Sequence, residues 1–390
     1  MSDANTNDGV IYLDYAATTP IHEDVADAVR EAMLTLAGNA SSQHSLGRTA
    51  RRVWEDARER IVELLGGDVT QGDRLLITSG GSESNNHALR GGMPHGRAGH
   101  LITSTVEHPS IAAIAKRLAV EGHAVDYLPA SSSGVVDIRS LAERLRPETS
   151  LVSLMLGNSE TGVLQPVEQL VEHLAAGVAD QPIAVHTDAT QAVGRQRIEF
   201  RRLGVAMMTF AAHKFQGPAG VGGLLVRGDC RPHPLLAGQA DDERPGTPPV
   251  ALVVGMQRAL ERAVANLDQR IAHLRALRDR FESTLLHQIP AAVVLGGGAP
   301  RLPHTSCVAF CGQDRQALLM ALDRAGVACS SGSACASGSS EPSPVLMAMG
   351  LPAEQIRGAL RFSMGDPTTA AEVDAAVARM VDVLAHFEAK

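Results

Sequence analysis

Gly204-Val-Ala-Met-Met-Thr-Phe-Ala-Ala-His-Lys-Phe-Gln-Gly-Pro-Ala-Gly-Val-Gly-Gly-Leu-Leu-Val226 is the stretch on which the reading of this chain turns. Its two apolar runs, Val205 to Phe210 and Val221 to Val226, predict short buried strands. Between them stand Ala211, Ala212, His213 and Lys214, followed by a Gly/Pro turn. Lysine is almost absent elsewhere: only Lys116, Lys214 and Lys390 occur, and arginine supplies the remaining positive charge. An ammonium beside apolar strands is costly unless it is paired or neutralised. Burial lowers its pKa and makes it a nucleophilic amine. Lys214 is therefore a candidate Schiff-base lysine. On this stretch alone the alternative is a solvated, inert loop lysine at a strand end.

The neighbouring segments repeat one design. Arg74-Leu-Leu-Ile-Thr-Ser-Gly-Gly-Ser-Glu-Ser-Asn-Asn86 reads as a strand, a Gly-Gly turn and a helix start, where backbone N–H groups and hydroxyls make an anion cradle. His100 to Pro109 reads as a strand ending in polar residues, with His108 just past its end and a helix from Ser110. Val125 to Leu128 is a further strand, and Asp137 to Leu145 a helix capped by Asp137. Ser150 to Gly162 ends in Asn158 and Glu160, and Ile183 to Gln191 delivers Asp188 and Gln191. Pro166 opens a helix to about Ala176. This alternation from Arg74 to Val226 predicts a mostly parallel sheet with helices on both faces. Ligands bind such sheets at the C-terminal ends of the strands, where these polar residues gather.

Before this unit, helices are expected from His22 to Leu36 and from about Thr49 to Leu65. Beyond it, Pro249 to about Leu286 reads as one long linking helix, straight or kinked. A second α/β unit follows, with strands at Ala292 to Leu295 and Ser306 to Phe310. Its helices are expected at Asp314 to Ala325 and Thr369 to Phe387. A length of 390 residues fits two domains. The expected boundaries are 17–260 for a large domain, and 1–16 with 261–390 for a small one carrying a mobile loop at about 328–341. The chain is 44% hydrophobic and 20% charged, as in an ordinary globular protein. A net charge of −8 argues against a general nucleic-acid or acidic-membrane surface. No apolar run is long enough to span a bilayer, and Met1 to Gly9 has no signal-peptide core, so a cytoplasmic location is expected. Five cysteines are an odd number and no disulfide framework. Cys307, Cys311, Cys329 and Cys335 have the wrong spacing for a zinc site, and no metal is expected.

Jointly, the strand-end residues match what pyridoxal phosphate requires: a lysine for its aldehyde, an acid at the pyridine nitrogen, a donor near the ring oxygen, a flat group over the ring and a phosphate cup. Lys214, Asp188, Gln191 or Asn158, and His108 supply the first four. Ser82 with its neighbouring amides, and His213, supply the last. Val327-Ala-Cys-Ser-Ser-Gly-Ser-Ala-Cys-Ala-Ser-Gly-Ser-Ser-Glu-Pro342 has little to pack and reads as a mobile arm. On such an arm the Cys335 thiol is a nucleophile candidate, whereas Cys329 is expected to be packed. Arg361, in a strand-like Ala-Leu-Arg-Phe-Ser, is placed to clamp a substrate carboxylate.

On these residues the chain resembles the group I cysteine desulfurases of the class V aminotransferase family, fold-type I pyridoxal phosphate enzymes. The likeness runs from Tyr12-Leu-Asp-Tyr-Ala-Ala-Thr-Thr-Pro20 through Asn39-Ala-Ser-Ser, Thr78-Ser-Gly-Gly-Ser-Glu-Ser, Glu107-His108, His186-Thr-Asp-Ala-Thr-Gln191 and His213-Lys214. It ends on Ser331-Gly-Ser-Ala-Cys335 with Glu341-Pro-Ser343, the most specific motif, and Arg361-Phe-Ser363. The resemblance implies an α/β fold: a large domain with a mostly parallel seven-stranded sheet and a smaller C-terminal α/β domain. It implies conversion of L-cysteine to L-alanine with a persulfide formed on Cys335 and passed to a sulfur-acceptor protein. That acceptor is a scaffold, a sulfur carrier or a thiolation enzyme, in iron-sulfur cluster assembly or tRNA thiolation.

By the same resemblance the catalytic residues are Lys214, Cys335 and His108. Gly81, Ser82, His108, Asn158, Asp188, Gln191, His213, Lys214 and Thr247 hold the cofactor, with Thr247 supplied by the other subunit of a homodimer. Arg361, Asn39 and Asn158 bind the substrate. No direct contact with nucleic acid or membrane is implied. Three positions depart from the family pattern: Ala240-Asp241 after Gln239, Ala211 where a serine usually helps hold the phosphate, and Ser159 in place of a second asparagine. The rival readings are another pyridoxal-dependent lyase or aminotransferase, and a non-catalytic sulfur-relay scaffold.

Overall fold

The computed structural model of the protein describes residues 9–178, 182–238, 243–332 and 341–388. Cys335 and the Gln239-Ala240-Asp241 departure lie outside the described residues. Among the described residues twelve short strands appear in chain order. They are β1 (Ile11–Tyr12), β2 (Arg74–Thr78), β3 (His100–Ser104), β4 (Ala124–Leu128), β5 (Thr149–Ser153) and β6 (Ala184–Asp188). Then follow β7 (Met207–Ala211), β8 (Gly222–Val226), β9 (Ala292–Leu295), β10 (Thr305–Phe310), β11 (Val327–Ala328) and β12 (Ala359–Ser363).

The main sheet has seven strands in the order β2-β8-β7-β6-β5-β3-β4. Its pairings are parallel from β7 to β4, and only β8 runs against its neighbours. The connection carrying Lys214 is too short for a parallel crossover, so β8 folds straight back beside β7. Thr78 and Ala211 both pair with Gly222. A Cβ on Gly222 would stand 2.7 Å from the Cα of Gly80. The missing side chain is what lets the Gly80-Gly81 turn sit against the end of β8. Because β2 lies antiparallel to β8, its C-terminal end faces the same way as those of β3, β5, β6 and β7. Every residue of β3, β7 and β8 is buried, as expected for strands covered on both faces.

A smaller three-stranded antiparallel sheet has the order β12-β10-β9, and β1 pairs in parallel with β11. Side chains of β10 alternate between two cores. Cys307 and Ala309 join the core under the main sheet, while Val308 and Phe310 pack with Phe281, Phe362 and Val377 in a second core. Ile11 and Leu13 belong to the second core, which draws the N-terminal segment away from the helices that follow it.

Several helices differ from expectation. The second begins at Ser45, because the His44 side chain caps it by accepting from the Gly47 N–H. Ile138–Arg144 is a 3-10 segment, still capped by Asp137. The expected long helix is two, Val250–Ala265 and Leu267–Gln288, separated at Asn266, whose φ of −126° and ψ of 35° are not helical. Among the described residues no helix is long and apolar enough to cross a membrane.

Candidate active site

A cavity of about 250 Å³ opens at the C-terminal ends of the main-sheet strands. Gly81, Ser82, His108, Asp188, Gln191, His213 and Lys214 line it, together with Ala17, Asn85, Thr190 and Ala211. Sequence positions more than a hundred residues apart meet here because each follows the end of a strand.

Lys214 closes a 3-10 turn, Ala212–Lys214, directly after β7. Its Nζ donates to the backbone oxygens of Ala16 (2.8 Å) and Ala17 (2.6 Å). The segment 16–19 also grips the turn itself: Thr19 N–H and Oγ1–H donate to the His213 carbonyl at 2.9 and 2.8 Å. Gln191 Nε2 donates to Ala16 O at 2.9 Å, and its Oε1 accepts from the buried Arg195 at 2.9 Å. Read from sequence, the 12–20 segment was only a strand entering a turn. Its carbonyls turn out to fix the lysine.

Asp188 ends β6 and is held at both oxygens. Thr190 N–H donates to Oδ1 (2.9 Å) and Asn85 Nδ2 to Oδ2 (2.7 Å). The other Nδ2 proton of Asn85 reaches Ser110 Oγ at 2.9 Å, and Ser110 Oγ lies 2.8 Å from His108 Nδ1. Since the Ser110 backbone N–H donates to the same Nδ1, that nitrogen carries a lone pair and the ring proton sits on Nε2. Burial, with Lys214 and Arg361 adding, holds His108 below the ordinary histidine range, so the ring is neutral. Asn85 and Ser110 escaped the sequence reading. Asn85 lies one helical turn past Gly81, on the buried face of the helix Gly81–Gly91, which it shares with Ser84, His87, Ala88 and Leu89, so the pattern did not single it out.

His213 Nδ1 lies 3.1 Å from Thr18 Oγ1. Burial, then Lys214 and Arg195, pull its pKa down to about 4, leaving it a neutral hydrogen-bonding group. Beside it the helix Gly81–Gly91 begins at Gly80 with no side-chain cap among the described residues. Free N–H groups at a helix start favour an anion.

Other expected site residues do not line this cavity. Asn158 is buried, but its carboxamide is used locally: Oδ1 accepts from Glu160 N–H (2.9 Å) and Thr161 N–H (2.8 Å), and Nδ2 donates to Val106 O (2.9 Å). It builds the turn at 158–163, an Asx-type arrangement. Arg361, in β12, donates to Ser159 O (2.8 Å) and Asp14 Oδ1 (2.7 Å), and its buried Nε has no partner among the described residues. Asn39 is exposed, with Oδ1 accepting from Ser41 N–H, and Thr247 is also exposed on this chain. On one flank of residues 333–340, Ser330 forms a bridge with Arg361; on the other, Ser343 Oγ donates to Glu160 Oε2 at 2.6 Å. Cys329 packs against the second core, and burial pushes its thiol up to about 12, out of nucleophilic range.

Glu107 is buried behind the cavity. Its Oε1 accepts from Ser104 Oγ (2.7 Å) and Met155 N–H (3.0 Å), while Oε2 has no partner among the described residues. Burial pushes its carboxyl up to about 8, so it is protonated in the fold at neutral pH. The unfolded chain releases that proton near the ordinary value of 4.5. Between these limits the folded state binds more protons, so this group's stabilising contribution is complete below the lower value and is lost as pH rises to about 8. Glu107→Gln is expected to flatten the fall in thermal stability between about pH 6 and pH 8. An unchanged slope would show that Glu107 is ionised in the fold.

The family model for aminotransferase class-V matches residues 11–376. The chain belongs to the class V aminotransferase family. A cysteine desulfurase of Nostoc sp. is 37% identical over 385 residues, covering 97% of this chain and 94% of that protein. A solved structure titled as a NifS-like protein superposes with a TM-score of 0.88 at 30% identity, covering 97% of this chain and all of the other. A second, titled SspA in complex with cysteine, gives 0.76 at 29% identity over 90% of this chain and 98% of the other. The class V fold seen here is fold type I, with the seven-stranded mixed sheet described above.

The cavity fits pyridoxal 5′-phosphate on its own chemistry. An amine, a doubly anchored carboxylate, a neutral imidazole and an uncapped helix start surround it. Two buried polar atoms in its lining, Asn85 Oδ1 and Thr190 Oγ1, have no partner among the described residues. Orphans of this kind point to a missing polar occupant.

Proposed function

We propose that this class V chain is a pyridoxal 5′-phosphate-dependent cysteine desulfurase, converting L-cysteine to L-alanine and conserving the sulfur as a persulfide. The observation that carries the reading is the convergence of Lys214, Asp188, His108 and the uncapped helix start on one cavity, in a chain whose relatives bear that name.

When bound, the cofactor supplies a protonated pyridine ring that draws electrons from the Cα of an attached amino acid. This chain's residues do the rest. Lys214 carries the cofactor at rest and takes the Cα proton from cysteine. Asp188, held at both oxygens by Asn85 and Thr190, would pair with the ring nitrogen and keep its proton in place. His108, its Nε2–H directed by Ser110, would cover the cofactor ring, and Gln191 would meet the ring oxygen. Gly81, Ser82 and His213 meet the phosphate, with Thr247 reaching over from a second copy in a homodimer. Arg361 would receive the cysteine carboxylate at its Nε, which has no partner among the described residues, assisted by Asn39, and the turn built by Asn158 presents Ser159 O to hold the guanidinium.

Cys335, as thiolate, attacks the substrate sulfur. A sulfur–sulfur bond forms, the carbon–sulfur bond breaks, and the electron pair returns to carbon, which is protonated. The balance is L-cysteine plus the Cys335 thiol giving L-alanine plus the Cys335 persulfide, with no external oxidant. A separate acceptor protein then takes the outer sulfur.

The test is direct. The purified protein should hold a visible chromophore that changes on adding L-cysteine while alanine and protein-bound sulfane sulfur appear in equal amounts. A protein that stays colourless after incubation with pyridoxal 5′-phosphate, and makes no alanine, would sink the proposal in favour of a scaffold.

A further inference from the structure

The cavity lining contains a hydroxyl to which the mechanism above gives no task. Thr190 Oγ1 is fully buried and has no hydrogen-bond partner among the described residues. A buried hydroxyl left unpaired is destabilising, and folded proteins rarely retain one without use. Its surroundings are informative. A Cβ built on Gly81 would lie 3.1 Å from Thr190 Oγ1 and 3.9 Å from the Ala211 Cβ. The hydroxyl therefore sits in the corner that Gly81 leaves open, at the first turn of the uncapped helix Gly81–Gly91. The third wall of that corner, Ala211, offers no donor. The backbone of Thr190 is pinned independently, because its N–H donates to Asp188 Oδ1 at 2.9 Å. One residue thus fixes the acid with its main chain and points a free O–H at the anion end with its side chain.

We infer that Thr190 is a phosphate ligand of the bound cofactor, its Oγ1–H donating to a phosphate oxygen beside the N–H groups of the Gly81–Gly91 helix. This rests on the cofactor assignment above and deepens it. A neutral donor to a doubly charged phosphate makes a charge-assisted bond, stronger than a neutral pair. It would also supply in this corner the hydroxyl that Ala211 lacks.

The test compares pyridoxal 5′-phosphate with pyridoxal, which has the ring and aldehyde but no phosphate, titrated into cofactor-free full-length protein and followed by absorbance. Thr190→Val keeps the shape and removes the donor. It is expected to weaken pyridoxal 5′-phosphate binding about ten- to a hundredfold while leaving pyridoxal binding unchanged. Thr190→Ser should bind like the parent. Adding Ala211→Ser to Thr190→Val should restore much of the loss, since the new hydroxyl enters the same corner. Unchanged affinity in Thr190→Val overturns the inference. Equal weakening toward both ligands also overturns it, because the residue would then act on the ring or through packing. Failure of the parent protein itself to bind pyridoxal 5′-phosphate would instead sink the cofactor assignment and this inference with it.

Discussion

A Lys214→Ala variant is expected to lose alanine formation from cysteine by roughly a thousandfold or more, because one amine both carries the cofactor and takes the Cα proton. Fold stability should change little. The lysine donates to two main-chain oxygens of the 16–17 segment, and Thr19 still ties that segment to the His213 carbonyl. Thermal unfolding with steady-state alanine release separates the two effects. A small amine in the buffer should recover part of the proton transfer, since the cavity left by the side chain opens beside the reacting carbon. Full activity in this variant would remove Lys214 from the reaction and restore the plain alternative of a loop lysine. A collapse of thermal stability would mean that the Lys214 bonds to Ala16 and Ala17 hold the fold together.

Cys335→Ser has the second large effect. The variant is expected to retain cofactor binding and its spectral response to cysteine, yet release alanine at least about a hundredfold more slowly and form no persulfide. An alcohol is a far weaker nucleophile toward sulfur than a thiolate. The two variants fail at different points: the lysine variant at handling the cofactor, the cysteine variant after it. Normal alanine yield without Cys335 would favour another pyridoxal-dependent lyase on the same fold. Among the described cysteines, Cys307 and Cys329 are poor substitutes, since burial pushes both thiols up to about 12.

Much of this site was open to a reader of the sequence alone. Lys214, Asp188, His108 and Ser82 each follow an apolar run of strand length, and a parallel sheet collects such positions on one edge whatever the loop lengths between them. The seven-stranded order, by contrast, required the tertiary structure. Hydrophobic runs report that a strand is buried, not which neighbour it takes, so the reversal of β8 between β7 and β2 left no mark beyond a short connection. The break at Asn266 was also hidden, since helical periodicity on both sides of it is continuous enough to read as one helix.

Chemical identity and burial were the sequence's own contribution. A rare lysine among apolar strands, an acid and an imidazole at strand ends, and a late cysteine in a stretch of small residues are properties of side chains, and side chains are what a sequence records. The tertiary structure alone decided who holds whom. The oxygens that grip Lys214 are peptide carbonyls of Ala16 and Ala17, and every residue has one. Asn158 carries a carboxamide suited to a cofactor, yet the nearest donors in its own turn take it first. Thr190 is an ordinary threonine until packing buries its hydroxyl with no partner among the described residues. Hydrogen bonds depend on distances of about 3 Å and on direction. Those are fixed only when segments far apart in the chain close around a common cavity.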